Sequence, residues 1–332
     1  MNTQLTDTLR ECAILGVGAY RPRHVVTNTI IAEECGVTDA WIVTRTGIRT
    51  RAFAGPDETL ASMAVGAARE ACVHARIDPA EIDCVILATL TYTRQVPSLA
   101  PTVAHLLGAR RAMAVDLSSA CSGFCYSLAA ARDFVRVGTA DHVLIVGVER
   151  MSDVIDPTDR ATAPIFGDGA GAAVVGPAAE PGVGPVVWGS DGTGLDAISM
   201  SAPWDVLVHD PAGPIPRLEM EGAEVWRWIR NEVVPALRQA VTASGLDADE
   251  LAAFIPHQAN ARIIDMIVKQ LDLPAHVQVA KDIERTGNTS AASIPLAMHA
   301  LLDSGAVRSG QYALLAGFGA GLTHAAQVVR LP

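Results

Sequence analysis

Charge is scarce in this 332-residue chain, and what there is leans acidic. Asp, Glu, Lys and Arg make up 18% of it, with 25 basic against 36 acidic residues and a net charge of −11. A generic nucleic-acid binder needs a basic surface that releases counterions, so no nucleic-acid partner is expected. Aromatics are also few, at 5%. Packing must then rely on small side chains and close backbone approach. No apolar run reaches the ~18 residues of a membrane-spanning helix, and the opening MNTQLTDTLREC lacks both the basic and the apolar part of a secretory signal. A cytoplasmic protein with no membrane partner is the expectation. The six cysteines, Cys12, Cys35, Cys72, Cys84, Cys121 and Cys125, include no CxxC pair, which argues against a zinc site. Disulfides are not expected in a long cytosolic chain, so most of these thiols read as small core hydrophobes.

Apolar residues are plentiful: they make up 50% of the chain, and the mean hydropathy is +0.27. Such a chain is too apolar to be disordered and can bury a large core. At roughly 150 residues per domain its length allows two domains or one large one. Short apolar runs at Cys84–Ala88, Val143–Gly147, Ala172–Val175 and Ala313–Ala316 read as buried strands. Helical patterns lie at 59–76, 123–137, 222–244, 260–271 and 291–304. Unbroken apolar strands alternating with helices predict an α/β protein with sheets covered on both faces. The Pro- and Gly-rich segment 177–216 reads as a linker followed by a surface excursion.

The two halves echo each other. Ile77-Asp-Pro-Ala-Glu-Ile82 returns as Leu246-Asp-Ala-Asp-Glu-Leu251, and Gly167-Asp-Gly-Ala-Gly171 as Gly317-Phe-Gly-Ala-Gly321. Asp116 and Asp282 open similar blocks, in which Cys121 falls opposite Asn288. A duplicated α/β unit is expected, with one half over 1–176 and the other over 177–332.

Three short segments could carry chemistry. Ser118-Ser-Ala-Cys121-Ser-Gly sits where a strand should hand over to a helix. A thiol at a helix N-terminus has its pKa lowered by the macrodipole and free N–H groups, although a core thiol fits the same residue. Pro256-His257-Gln-Ala-Asn260 follows an apolar run, and strand ends are where α/β sites form; a structural histidine is the alternative. Gly287-Asn288-Thr-Ser290 opens a helical pattern, where Asn also serves as a cap. Papain-like proteases share the Cys–His–Asn order, but their C-G-[SA]-C-[WY] motif is absent. Gly167-Asp-Gly-Ala-Gly-Ala172 loosely fits a dinucleotide fingerprint, but a strand pattern follows where a helix is required. Close backbone packing is the better account of it, and the loop 317–321 could aim N–H groups at an oxyanion.

Taken together, these segments make the chain resemble a β-ketoacyl-acyl-carrier-protein synthase III of the thiolase-like superfamily. It is similar in particular to the actinobacterial enzymes that start fatty-acid or aromatic polyketide chains. The likeness covers Trp41–Arg49, Ser118–Leu128, Asp156–Arg160, Phe166–Val175, Pro256–Ile264, Gly287–Ser293 and Gly317–Thr323. It implies a thiolase-like fold of two duplicated halves stacked as α-β-α-β-α layers, a homodimer, and an acyltransferase with no bound cofactor. Its substrates would be an acyl-coenzyme A and malonyl-acyl-carrier protein. Cys121 would be the nucleophile. His257 and Asn288 would handle the malonyl group, and the N–H groups of Cys121 and Ala320 would form the oxyanion hole. The resemblance also implies that Trp41 stacks on the adenine of coenzyme A, that Arg45 and Arg160 contact its nucleotide end, and that Arg227 and Arg262 line a basic mouth. Val96 matches a position that closes the acyl pocket across the dimer. Ala223 and His324 depart from the family pattern, where Asn and Trp are common. Acyl transfer to a hydroxyl or amine without condensation is the competing reading, and a non-catalytic module a third. A hydrolase would need a base for water, and the sequence shows no carboxylate beside the three residues.

Overall fold

The computed structural model describes residues 9–332; residues 1–8, part of the opening read for a signal, lie outside the described residues. The first sheet has the order β1 (Glu11–Tyr20), β7 (Gly169–Ala178), β6 (Val143–Glu149), β4 (Cys84–Ala88), β5 (Met113–Asp116). The second has the order β8 (Val187–Ser190), β14 (Thr323–Arg330), β13 (Tyr312–Gly319), β11 (Leu251–Pro256), β12 (Gln278–Val279). In both sheets, taken in that order, the first two pairings are antiparallel and the last two parallel. Two small ribbons, β2 (His24–Thr27) with β3 (Thr50–Phe53) and β9 (Ile198–Met200) with β10 (Leu218–Met220), lie outside the sheets.

The helices form three layers. Between the sheets lie α5 (Gly123–Arg136) and α11 (Ser293–Asp303), whose Phe124, Leu128, Ile294 and Met298 share one core with Ile86, Ile145, Ile255 and Leu315. Outside the first sheet, α3 (Leu60–Ala75) and α4 (Leu99–Leu107) pack Met63, Ala67 and Val103 on Val85, Leu144 and Val174. Outside the second, α7 (Gly222–Trp228), α8 (Val234–Ala243) and α9 (Ala261–Leu271) pack Val225, Leu237 and Ile267 on Phe254 and Leu314. The short α1 (Asn28–Cys35), α2 (Asp39–Thr46), α6 (Val206–His209) and α10 (Ile283–Thr286) complete the chain. This is the expected α-β-α-β-α stack. Sheets buried on both faces explain the unbroken apolar strands, and β4 and β6 are buried throughout.

The first echo folds twice in the same way. Asp78 with Glu81, and Asp247 with Glu250, each make a capping box that delivers the chain into β4 or β11. Two other echoes are corrected. Gly167–Gly171 leads into β7, whereas Gly317–Gly321 ends β13, whose counterpart is β6. Cys121 is not opposite Asn288. The 3₁₀ turns Ala120–Ser122 and Ser290–Ala292 precede α5 and α11, and their first residues share a left-handed φ of 43° and 48°. Cys121 therefore corresponds to Ala291. Loops of unequal length shift the sequence register, while the turn before each helix preserves it. The segment 177–216 is also more regular than expected, since it supplies β8, β9 and α6. The expected helix 222–244 is broken by a π turn at Ile229–Val233. Pro235 follows at the start of α8, where its missing N–H interrupts the α-helical ladder.

Glycines fix how closely the halves meet. A Cβ on Gly147 of β6 would lie 2.3 Å from the Ala291 carbonyl oxygen, and one on Gly317 of β13 would lie 3.1 Å from Ser122 Cα. Each central helix thus starts against a glycine of the other half's sheet. Gly167 and Gly171 serve the same close packing, since a Cβ on them would lie 2.3 Å from the Thr286 carbonyl oxygen and 2.7 Å from the Pro295 ring. The clash at Gly147 is with backbone, which cannot swing aside. Gly147→Ala should therefore lower the unfolding free energy by about 1–3 kcal/mol, measured by urea denaturation. An unchanged midpoint would show that the two halves have slack at this seam.

Candidate active site

One cavity of about 750 Å³ is lined by residues of both halves. Cys121, His257, Asn288 and Ala320 lie on it, as do Trp41, Arg45, Arg160, Arg227 and Arg262. Cys121, His257 and Asn288 are 7%, 2% and 5% exposed, whereas the four arginines are exposed. The trio thus occupies the deep part and the arginines the mouth. Apolar walls between them include Leu90, Met151, Phe166 and Ile198.

Cys121 sits in the turn that opens α5. The Ser122 hydroxyl ties that turn to the Ser119 carbonyl at 2.7 Å and to the Thr323 hydroxyl at 2.9 Å. Gly319 is packed against the thiol: a Cβ there would lie 2.7 Å from Cys121 Cβ and 3.1 Å from Sγ. Only glycine lets the end of β13 run this close to the thiol, and Ala320, the next residue, lines the same cavity. Among the described residues neither the Cys121 nor the Ala320 N–H is taken by another group's acceptor. Two free N–H groups beside a thiol form a ready oxyanion pocket. The expected lowering of the thiol pKa does not occur. Burial pushes Cys121 up to about 12, opposed by the Ser290 side chain and aided by the charge of Glu149. Desolvation of a fully buried anion outweighs a helix end, whose effect reaches at most about 2 kcal/mol.

His257 follows β11, and its N–H continues the sheet by donating to Ala316 O at 2.7 Å. Its ring packs edge-on to Phe318. Ser293 Oγ, 2.7 Å from His257 Nδ1, already accepts the Gln258 N–H at 3.2 Å. The serine hydroxyl can then give its own proton to Nδ1, an arrangement that puts the ring hydrogen on Nε2. Burial pushes the His257 pKa down to about 3, so the ring is neutral and remains a donor at working pH. Gln258 anchors the turn, giving its amide hydrogens to the Pro256 and Ala280 carbonyls and accepting the Ile283 N–H.

Asn288 belongs to the second half but is held by the first. Its N–H donates to Ile165 O at 2.8 Å, and its carbonyl accepts the Gly167 N–H at 3.1 Å. Its side-chain oxygen accepts the Ser290 N–H at 2.8 Å, which leaves the amide NH₂ free to donate. At the mouth, Asn260 caps α9 by accepting the Arg262 N–H and reaches the Arg45 carbonyl, so Arg45 and Arg262 share one corner. The Arg45 guanidinium lies 4.6 Å over the Trp41 ring, a cation–π contact. Ala223 lines the cavity, and His324 packs against Trp228. Val96 lies apart: it is 83% exposed and does not line the cavity of its own chain.

Sequence reasoning missed three residues. Ser293 and Ser290 lie in the Ala-rich helix start and look like ordinary capping residues. Glu149 corrects the expectation of no carboxylate near the trio: it is fully buried, and its charge is felt at Cys121. The available signal was a charged residue closing the apolar strand Val143–Glu149.

All six cysteines are free and buried, and Cys121 alone lines the cavity. Iodoacetamide should label Cys121 first, at a rate rising about tenfold per pH unit with no plateau below pH 9, because thiolate is the reacting form. Peptide mass spectrometry reads both site and rate. A plateau near neutral pH would show an activated resting thiolate instead.

Comparison with known proteins places the chain. Family models described as 3-oxoacyl-[acyl-carrier-protein (ACP)] synthase III match residues 115–192 and, for the C-terminal part, 241–331. A β-ketoacyl-[acyl-carrier-protein] synthase III of Streptomyces lividans is 53% identical over 319 residues, 96% of this chain and 94% of that protein. One from Mycobacteroides abscessus is 48% identical over 98% of this chain and 96% of its own. The crystal structure of the priming β-ketosynthase from the R1128 polyketide biosynthetic pathway superposes with a TM-score of 0.97 at 51% identity, covering 99% of both chains. With its duplicated fold and the cavity shared by Cys121, His257 and Asn288, the chain belongs to the β-ketoacyl-acyl-carrier-protein synthase III family.

Proposed function

We propose that this acyltransferase starts fatty-acid or polyketide chains by decarboxylative Claisen condensation of an acyl-coenzyme A with malonyl-acyl-carrier protein. One observation carries the reading: a thiol and two neutral hydrogen-bond donors share the buried part of a cavity whose mouth bears four arginines and a tryptophan. Cys121 attacks the thioester and becomes an acyl-enzyme, with the new oxyanion held by the Cys121 and Ala320 N–H groups. Malonyl-carrier protein then enters. Loss of CO₂ leaves an enolate, whose oxygen accepts hydrogen bonds from His257 Nε2 and the Asn288 amide. The enolate carbon attacks the acyl group and releases a 3-ketoacyl-carrier protein. Neither donor titrates in the working range, because burial holds His257 neutral and an amide has no acid–base equilibrium there. Retention of both donors favours condensation over simple acyl transfer to a hydroxyl or amine.

The cavity is of the size that holds a small-molecule ligand. Coenzyme A enters as substrate, so no resident cofactor is needed. Trp41 offers a face for adenine. Arg45, Arg160, Arg227 and Arg262 offer positive charge to phosphates and to an acidic carrier protein. On a chain of net charge −11 such steering must be local. A cytoplasmic homodimer completes the proposal, with Val96, exposed in the single chain, reaching the partner's acyl pocket. Among the described residues no helix is long and apolar enough to cross a membrane.

The test supplies a panel of acyl-coenzyme A thioesters with malonyl-carrier protein and follows CO₂, 3-ketoacyl product and acyl-Cys121 by mass. Acylation, CO₂ and ketoacyl product are expected together. Acylation without CO₂ would support transfer without condensation, and no acylation would remove the nucleophile assignment. In the same assay Arg262→Glu should weaken use of malonyl-carrier protein about tenfold or more and leave acylation by acyl-coenzyme A nearly unchanged. Equal loss in both half-reactions would show that Arg262 does not receive the carrier protein.

A further inference from the structure

A buried acid next to a buried thiol needs an account, and the mechanism above uses only the thiol. Glu149 ends β6 with no solvent exposure. Its Oε2 accepts from the Thr91 hydroxyl at 2.8 Å, the Thr89 hydroxyl at 3.1 Å and the N–H groups of Leu90 and Thr91 at 3.1 and 3.2 Å. Its Oε1 shares only the Leu90 N–H, at 3.2 Å, and keeps acceptor capacity. No cation of the described residues pairs with it. Ser290 lies on the other side. The turn that begins at Ser290 packs against both β6 and the turn that holds Cys121, and the Ser290 hydroxyl favours the ionised form of both the thiol and the carboxylate, yet that hydroxyl is buried and forms a regular hydrogen bond with neither. Ser290 is also held at a φ of 48°, a left-handed conformation that is costly for a side chain other than Gly, Asn or Asp and that concentrates at functional sites.

We propose that Ser290 and Glu149 form a proton relay that takes the proton of Cys121 during acylation and returns it after condensation. The inference rests on the condensation reading above and adds to it the place where the thiol proton is kept. During acylation the Cys121 sulfur bonds to the acyl carbon and the bond from that carbon to the coenzyme A sulfur breaks. The thiol proton passes to Ser290 Oγ as the Ser290 proton passes to Glu149, and the departing coenzyme A thiolate takes a proton from water at the mouth. During condensation the new carbon–carbon bond forms, the acyl–Cys121 bond breaks, and Cys121 leaves as thiolate. Glu149 then returns its proton through Ser290. One proton is consumed per cycle, matching the malonyl carboxylate charge lost as CO₂.

The environment suits this role. The thiol is driven up to about 12 by burial, so it rests protonated and has to lose its proton as it attacks. His257 is too weak a base to accept that proton, since burial holds it near 3, and its Nδ1 is engaged by Ser293. Burial raises Glu149 to about 7, partly offset by the Thr91 and other donors. A base close to the working pH is the efficient choice. Of the groups facing Glu149, namely Thr89 and Thr91 after β4, Ser290 before α11 and Cys121 before α5, only Cys121 titrates.

Single-turnover acylation, read as coenzyme A release and acyl-Cys121 mass without malonyl-carrier protein, tests the relay in the full chain. Malonyl-carrier-protein decarboxylation is read separately. Wild type should acylate faster as pH rises through about 7. Ser290→Ala and Glu149→Gln should each slow acylation at pH 7 by about 10²-fold, remove that inflection, and change decarboxylation less than about twofold. Ser290→Ala should fold, because its counterpart Ala120 adopts the same backbone at φ 43°, and it decides the matter if Glu149→Gln does not fold. Wild-type acylation by Ser290→Ala overturns the relay. So does an equal loss in both half-reactions, which marks a structural role. Faster acylation by Glu149→Gln also overturns it, since a purely repulsive charge would be relieved. Failure of wild type itself to acylate would overturn the condensation reading instead.

Discussion

The two halves of this molecule meet backbone to backbone, and everything at the site depends on that approach. Gly147 in the first sheet admits the turn before α11, and Gly317 in the second admits the turn before α5. The seating is reciprocal, so each central helix starts inside the other half. Cys121 and Asn288 are thereby brought to one cavity from opposite ends of the duplication. Asn288 shows the interlock most directly: it is encoded in the second half, and its backbone is hydrogen-bonded to Ile165 and Gly167 of the first. Neither half alone could present the site.

That close approach also sets the electrostatics. A seam closed by glycines and alanines excludes water, and water exclusion decides protonation at depth. It raises Cys121 and Glu149 and lowers His257. At rest the deep part of the cavity therefore holds a protonated thiol and neutral donors, with one carboxyl beside them poised near the working pH, and hydrogen bonds to a developing charge are strongest there. Permanent charge is confined to the mouth, on Arg45, Arg160, Arg227 and Arg262. Chemistry and recognition are separated by depth within one cavity.

Much of this was legible in the sequence, for reasons that differ by residue. The strands and central helices were readable because sheets buried on both faces demand unbroken apolar runs. The capping boxes at Asp78 and Asp247 carried the duplication, because their spacing is imposed by local hydrogen bonds. Cys121, His257 and Asn288 were found because each stands in a compact motif. The arginines and Trp41 came from resemblance, since an exposed arginine has no pattern of its own. Glu149, Ser290 and Ser293 were not found, because their partners are distant in the chain: Glu149 is held by residues about sixty positions away, and Ser293 meets His257 across 36. The raised thiol pKa was missed for a related reason. A helix start is visible in sequence, but the burial that overrides it is a property of the assembled halves.

The central claim is a division of labour, with Cys121 from one half carrying the acyl group and His257 and Asn288 from the other generating the nucleophile. The most direct measurement places Asn288→Ala and His257→Ala in an assay that reads acyl-Cys121 by intact mass and CO₂ from malonyl-carrier protein in parallel. The account expects both variants to acylate close to wild type while CO₂ release falls by about 10²-fold, the scale of removing one preorganised donor. CO₂ release at the wild-type rate, or loss of acylation in step with it, would contradict the account.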